Sequence, residues 1–210
     1  KNMKPAYEKV ARAFEREPSV VVAHVNADAE ENRDLAARFG VRSYPTIKFF
    51  PKGQATDEPL AYDQGRSEDQ FAEFINSHAG THRTPTGVLS DLAGRVEDLD
   101  ALARRYLSEI PSREEIVGEA SAYATKATED AKATAQYYVR VMERVATKGD
   151  EWVTKEINRL SNILAGGGLA GAKVDDLKRK VNILYAFTAE KAEEAKQAAQ
   201  QAAKDLKDEL

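Results

Sequence analysis

A proline held between a helix end and an apolar run is the feature that most limits the folds open to this chain. Residues 39–50 read Phe-Gly-Val-Arg-Ser-Tyr-Pro-Thr-Ile-Lys-Phe-Phe. Gly40 follows a helical pattern and suits a left-handed C-terminal cap. Tyr44-Pro45 stands immediately before Thr46–Phe50, a run of β-branched and aromatic residues. A proline has no N–H to give to a strand ladder, so Pro45 belongs at the start of that strand. The Tyr44–Pro45 bond is also a candidate cis peptide, a form nearly confined to X–Pro bonds.

Upstream, Met3, Tyr7, Val10, Ala11 and Phe14 fall at helical spacing, with Pro5 in the first turns, where it is tolerated or kinks the helix. Val20–Val25 is a short β-branched run that predicts a buried strand. His24 lies inside it, and a lone histidine in such a strand is more often packed or at an edge than a ligand. Asp28 with Glu31 has capping-box spacing, and Leu35, Ala36 and Phe39 mark the short helix that Gly40 ends. Pro51-Lys52-Gly53 is a turn, and Tyr62 opens a weaker strand. Ser67 with Gln70 repeats the capping-box spacing before Phe71, Phe74 and Ile75, which share a helical face. Residues 1–78 thus predict helix, strand, helix, strand, strand, helix.

From His78 to Gly87 the chain is polar, carries Gly and Pro and has no apolar period, which predicts a boundary with residues 79–87 as linker. His78 and His82 stand four apart, but with three histidines and no cysteine in the chain no metal site is expected. Beyond Gly87 no strand pattern appears. Leu92, Val96, Leu99, Ala103 and Tyr106 predict a helix ending near Ile110-Pro111. Ser112 with Glu115 predicts a capping box opening one long helix, with Ala131, Ala135, Tyr138, Met142 and Val145 on its seam and Gly149 as its end. Met142 reads as core and not as part of a cofactor box.

Trp152, Ile157, Leu160 and Leu164 predict the next helix, ended by Gly166-Gly167-Gly168. That triplet follows a helix and lacks the Gly-Lys-Ser/Thr ending of a phosphate loop. Val174, Leu177, Val181, Leu184 and Tyr185 complete a helical bundle over 88–188. Residues 189–210 are almost entirely Ala, Glu, Lys, Gln and Asp, which predicts a helical tail with little apolar face. It closes on Lys207-Asp208-Glu209-Leu210, the receptor-read address for retention in the endoplasmic reticulum.

Composition narrows the function. With 31% charged residues and a net charge of -4, neither nucleic acid nor an anionic membrane is indicated as partner. No apolar run approaches the length of a membrane span, so no membrane insertion is expected. A chain without cysteine can form no thiolate of its own.

Taken together, these motifs resemble a known family. Lys1-Asn2-Met3-Lys4-Pro5-Ala6-Tyr7 and Phe39–Phe50 resemble the thioredoxin fold, most closely a catalytic-type domain of protein disulfide isomerase. Residues 87–188 resemble the all-helical C-terminal domain of the redox-inactive endoplasmic-reticulum relatives, Windbeutel among them, which also closes fungal and plant disulfide isomerases. Gly149-Asp150-Glu151, Glu156–Leu160 and Val181–Phe187 carry that second likeness.

The resemblance implies an α/β plus all-α architecture: the C-terminal part of a thioredoxin-like fold in residues 1–78, lacking its first strand–helix–strand, then a helical bundle. The absent second strand is central in the family's sheet, and a strand buried on both faces cannot simply be omitted. Residues 1–78 are therefore expected to be marginal by themselves. The resemblance places a Cys-x-x-Cys pair just upstream of Lys1 and no catalytic residue within the chain. Ser43, Tyr44, Pro45 and Thr46 match the loop that holds substrate beside those cysteines. Arg66 matches the arginine that tunes an active-site cysteine. His24 and Asn26 depart from the Lys and Asp common in the family.

The function so implied is that of a protein-folding factor of the endoplasmic-reticulum lumen, part of a disulfide isomerase. Thiol–disulfide exchange belongs to the intact family protein, not to this cysteine-free chain. The alternative is a redox-inactive chaperone or escort that binds unfolded secretory clients. Expected partners are unfolded or partly folded secretory proteins and, through the C-terminus, a retrieval receptor. No cofactor, metal or nucleic acid is expected.

Overall fold

The computed structural model describes residues 3–53 and 58–188, the side chain of Asp130 apart. Pro5 lies in the first turn of α1 (Lys4–Ala13), where its missing N–H would have no helical partner in any case. The apolar face of this helix buries Val10 and Ala13, and with Phe14 they pack on Phe71 and Ala72 of α3 (Glu68–Ala79). Lys9 adds an ion pair to Glu68 at the same contact. α3 starts as its sequence predicts: the Ser67 hydroxyl accepts from the Gln70 N–H while the Gln70 side chain accepts from the Ser67 N–H. Such a cap contributes about 1 kcal/mol. Gly80, in the left-handed conformation, ends the helix.

α2 (Arg33–Arg38) and a two-stranded antiparallel sheet complete this region. β1 (Lys48–Phe49) pairs with β2 (Leu60–Ala61), Lys48 facing Ala61 and Phe49 facing Leu60. The Tyr62 N–H donates to the Ile47 carbonyl at 3.0 Å, so pairing reaches the Tyr62 position that the sequence marks. Rings cover the sheet: Tyr62 lies 5.0 Å from Phe71 and 4.9 Å from Phe74, and Phe49 lies 5.6 Å from Phe74. The two pairs with Phe74 meet edge-on, an arrangement that adds about 1 kcal/mol beyond burial.

Two local expectations fail here for a physical reason. The strand predicted at Val20–Val25 does not form. Val20 and Val22 pack against the core, but Val21 is 88% and Val25 56% exposed, and the segment enters no ladder. A β-branched run becomes a strand only when a neighbour offers backbone partners, and none does so among the described residues. The same shortage leaves β1 at two residues of the Thr46–Phe50 run. The Asp28–Glu31 cap is also absent: a 3-10 turn over Glu30–Asn32 leads into α2, and the Asn26 side chain takes the Asp28 N–H at 3.2 Å. A short polar side chain bonding two residues on competes directly with a helix cap.

Residues 79–87, expected as linker, are folded. Asn76 Oδ1 accepts from the Arg83 N–H and the Thr81 hydroxyl, both at 2.9 Å, while its amide donates to the Arg83 carbonyl at 2.8 Å. A turn from Thr84 to Val88 and a bridge between Arg83 and Leu89 close a small strap, with Leu89 buried. Arg83 is only 2% exposed; its Nε donates to Glu17 Oε1 at 2.5 Å and its Nη1 to the Gly87 carbonyl at 3.0 Å. Polar composition reads as solvated loop, yet here the polar atoms satisfy one another internally. Gly87 has φ +81°, and a Cβ there would stand 3.3 Å from Ala13 Cα, so both backbone and space require glycine.

The chain divides into two units, Lys1–Ser90 and Asp91–Leu210. The second is helical: α4 (Glu97–Ser108), α5 (Arg113–Lys126), α6 (Glu129–Lys148), α7 (Glu151–Ala165) and α8 (Gly171–Tyr185). Leu99, Ala103, Tyr106, Ile116, Tyr138, Met142 and Val145 form one core with Val153, Leu160, Val181 and Leu184. Leu92, placed on the first helix by its spacing, precedes α4 and is exposed. The single long helix predicted after Ser112 is two helices, broken at Ala127 and Thr128, whose ψ angles are 147° and 158°. No Gly or Pro marks that break; the signal is Thr128 ahead of Glu129 and Asp130, a helix-start composition. The Ser112–Glu115 cap does not form, because a 3-10 turn over Ile110–Ser112 feeds α5 and leaves Ser112 outside the extended conformation a capping residue needs.

One polar cluster is built into the helical core. Tyr138 donates to Asp100 Oδ1 at 2.5 Å and accepts from the Val96 N–H at 3.2 Å. Arg95 Nε reaches both Asp100 oxygens at 2.9 and 2.8 Å, and Arg95 Nη1 donates to the Asn182 carbonyl at 3.3 Å. Asn182 in turn donates to the Ala93 carbonyl at 2.9 Å. The segment ahead of α4 is thereby fastened to α6 and α8.

Candidate functional site

The loop singled out by the sequence is set between two anchored ends. At the close of α2 the Gly40 N–H bonds the Ala37 carbonyl and the Val41 N–H the Ala36 carbonyl, with Gly40 at φ +61°. At the far end Ile47 packs on the core and Phe49 enters β1. Phe39 and Phe50 meet edge-to-face at 5.3 Å, drawing the two ends together, and the Arg38 guanidinium lies 5.2 Å from the Phe39 ring centre.

Between these ends Ser43, Tyr44, Pro45 and Thr46 are all exposed, Tyr44 at 64%. The Tyr44–Pro45 bond is cis. The Thr46 hydroxyl donates to the Ser43 carbonyl at 2.7 Å and closes the turn from inside. What projects is the aromatic side chain of Tyr44. The loop carries no carboxylate, imidazole or thiol.

Arg66 lies in the turn ahead of α3, exposed and without an ion pair among the described residues. The turn is held by the Tyr62 hydroxyl on the Gly65 carbonyl, and burial raises the Tyr62 pKa. Arg66 makes no hydrogen bond or ion pair with Ser43–Thr46 among the described residues. His24 is exposed beside Ala23, whose carbonyl accepts from Tyr7 at 2.7 Å; burial raises the Tyr7 pKa. His78 is a packing residue: its ring lies 4.1 Å from Phe74 and 5.3 Å from Phe49, and Nδ1 is 2.8 Å from the Phe74 carbonyl. Lys207, Asp208, Glu209 and Leu210 lie outside the described residues.

In the helical unit an open groove of about 530 Å³ runs between α5 and α6. Ser121, Ala124, Thr125, Lys132, Gln136, Val139, Arg140 and Glu143 line it, a mixed polar and apolar surface. Two arrangements had no sequence signal. The Arg83–Glu17 pair joins residues 66 apart, and the Tyr138–Asp100 bond joins residues 38 apart. Both depend on tertiary placement.

Comparison with known proteins fits this architecture. The thioredoxin family matches residues 1–77, and the family described as endoplasmic reticulum protein ERp29, C-terminal domain, matches residues 94–187. The chain is thus a thioredoxin-fold segment followed by a helical domain of the ERp29 type. Protein disulfide-isomerase erp38 of Neurospora crassa is 43% identical over 196 residues, which is 92% of this chain and 52% of that protein. Protein disulfide-isomerase tigA of Aspergillus niger is 42% identical over 193 residues, 92% of this chain and 51% of its own length. Protein disulfide-isomerase 1 of Dictyostelium discoideum is 35% identical over 188 residues, 89% of this chain and 51% of its own. These likenesses support a protein of the disulfide-isomerase type. It spans about half the length of the curated relatives it matches.

Proposed function

We propose that this chain is the substrate-facing and helical portion of a disulfide isomerase working in the lumen of the endoplasmic reticulum. The observation that carries this reading is the Ser43–Thr46 loop. It is pinned at its base by Phe39 and Phe50 and open at its tip, in a chain that is 43% identical to an isomerase over 92% of its residues. Exchange requires a thiolate that attacks one sulfur of the client's disulfide, forming a mixed disulfide and expelling the client's other sulfur as a thiolate. The sequence contains no cysteine, and this reading draws the attacking group from a Cys-x-x-Cys segment joined ahead of Lys1, as the family resemblance implies. Within that arrangement Tyr44 and the loop backbone hold the client, and Arg66 stabilises the thiolate. The clients are unfolded or partly folded secretory proteins.

Lys207-Asp208-Glu209-Leu210 supports lumenal residence through a retrieval receptor. The test is a tagged chain delivered to the secretory route, with and without its last four residues. Retention of the first and release of the second is the expected result; equal secretion of both overturns the assignment.

A further inference from the structure

We propose that the groove between α5 and α6 is a binding site for an extended peptide that carries two carboxylates four residues apart. The ligand class follows from the order of side chains along one face of α6. Lys132, Gln136 and Arg140 succeed one another at four-residue steps, Glu143 follows one turn later, and all of them line the groove of about 530 Å³. At 1.5 Å per residue the two cations stand about 12 Å apart along the helix. An extended chain advances about 3.3 Å per residue and turns alternate side chains to one face. Its first and fifth residues, about 13 Å apart, therefore meet both cations together. The third residue turns to the same face, where Ala124 and Val139 offer an apolar surface to a small aliphatic side chain.

Both cations are open to such a ligand. No carboxylate pairs with Arg140 among the described residues: its Nε reaches the Gln136 carbonyl at 3.4 Å, and its guanidinium lies 5.6 Å from the Tyr137 ring centre. Lys132 bonds Glu129 at 3.1 Å, but the Glu129 side chain is 88% exposed, and a surface pair of this kind yields to a competing carboxylate at little cost. On the α5 wall the Ser121 and Thr125 hydroxyls donate to the Val117 and Ser121 carbonyls at 2.7 and 2.9 Å. Their lone pairs are left to accept from a peptide backbone, and the Gln136 amide can both donate and accept. Glu143 bounds the site, since a further carboxylate beyond Arg140 would meet it. The groove shares no residue with Ser43–Thr46, so its occupancy is separable from client contact at that loop.

Fluorescence anisotropy on the full chain tests this with dye-labelled Gly-Ser-Glu-Ser-Val-Ser-Glu-Ser-Gly at low salt. This peptide is expected to bind, and the same peptide with both Glu replaced by Gln to bind about tenfold more weakly, as loss of two exposed ion pairs requires. Lys132→Gln and Arg140→Gln are each expected to weaken binding by roughly threefold to fivefold. Lys155→Gln, which removes a cation of α7 outside the groove, is expected to change nothing. Lys132→Glu combined with Arg140→Glu is expected to reject the acidic peptide and to bind the form with both Glu replaced by Lys, a gain that loss of fold cannot produce. Equal binding of the Glu and Gln peptides overturns the proposal, as does an Arg140→Gln variant that binds like the unaltered chain or a charge reversal that gains nothing. Tighter binding of an alanine-rich helical peptide with its Glu residues eight apart also overturns it, because the occupant is then a helix.

Discussion

Asp100→Ala is expected to be the costliest single polar change in the helical unit. The carboxylate accepts from Tyr138 at 2.5 Å and from Arg95 Nε at 2.9 and 2.8 Å, with Asp100 itself 8% exposed. Truncation leaves the Arg95 guanidinium, about one-fifth exposed, without this carboxylate, and the Tyr138 hydroxyl without its acceptor. Breaking a buried pair from one side costs about 3–5 kcal/mol. Arg95 keeps some solvent and its bond to the Asn182 carbonyl, which places the expected loss near the lower end, about 3 kcal/mol. Tyr138→Phe removes one bond to Asp100 and the acceptor of the Val96 N–H, for about 1.5 kcal/mol. Because the two side chains share one bond, the double variant is expected to fall short of the sum by about 1 kcal/mol. For a unit of this size each kcal/mol shifts Tm by roughly 4–8 °C, so Asp100→Ala is expected to lower it by more than about 10 °C. Thermal unfolding followed by far-ultraviolet circular dichroism reads this directly. A loss below about 1 kcal/mol for Asp100→Ala, or strict additivity in the double variant, refutes the network as a source of stability.

Alkaline titration tests the same unit by another route. Burial pushes Tyr137 up to about 12, with Glu156 adding to the shift, and burial together with the Asp100 bond raises Tyr138 further. Both are held neutral in the fold, so their stabilisation is complete below pH 10 and is lost as pH rises from about 10 to 12, where the unfolded chain gives up its protons first. Tyr137→Phe is expected to flatten this loss in denaturant midpoints measured across that window. Gly94→Ala is expected to cost about 1–3 kcal/mol, since Gly94 has φ +79° and a Cβ would stand 2.9 Å from Arg179 Cβ. Val21→Ser, at an 88% exposed position, is expected to change stability by less than about 0.5 kcal/mol, where a strand buried on both faces would lose several times that. Tyr44→Ala is expected to leave stability unchanged and to weaken suppression of client aggregation, read by light scattering.

Legibility in the sequence followed the range of the interaction. Helices with a local apolar seam were readable: Val10 and Phe14, Phe71 and Phe74, Leu99 with Ala103 and Tyr106 all lie where their spacing puts them. Ser67 with Gln70 was readable because both halves of the cap sit within one turn. The fate of Val20–Val25 is not legible because a strand is made by its neighbour, and a β-branched run carries no record of whether one is present. The break at Ala127–Thr128 is hidden in the sequence because the apolar seam continues across it into Ala135 and Tyr138. Arg83 looked like a loop residue, since nothing near it in sequence indicates that Glu17 will neutralise it. The loop Ser43–Thr46 could be found from its wording, while its bracing by Phe39 and Phe50 emerged only from the fold.

The central claim is a division of labour: this chain holds the client and a Cys-x-x-Cys segment ahead of it supplies the thiolate. The most direct measurement is insulin reduction by the chain alone and by the chain joined behind a strand–helix–strand ending in Cys-x-x-Cys before Lys1. The chain alone is expected to give no thiol-dependent turnover, because it has no side chain that can form a mixed disulfide. The joined form is expected to turn over, and to lose that turnover when either added cysteine becomes serine. Turnover by the cysteine-free chain, or a folded joined form that stays inert, contradicts the account.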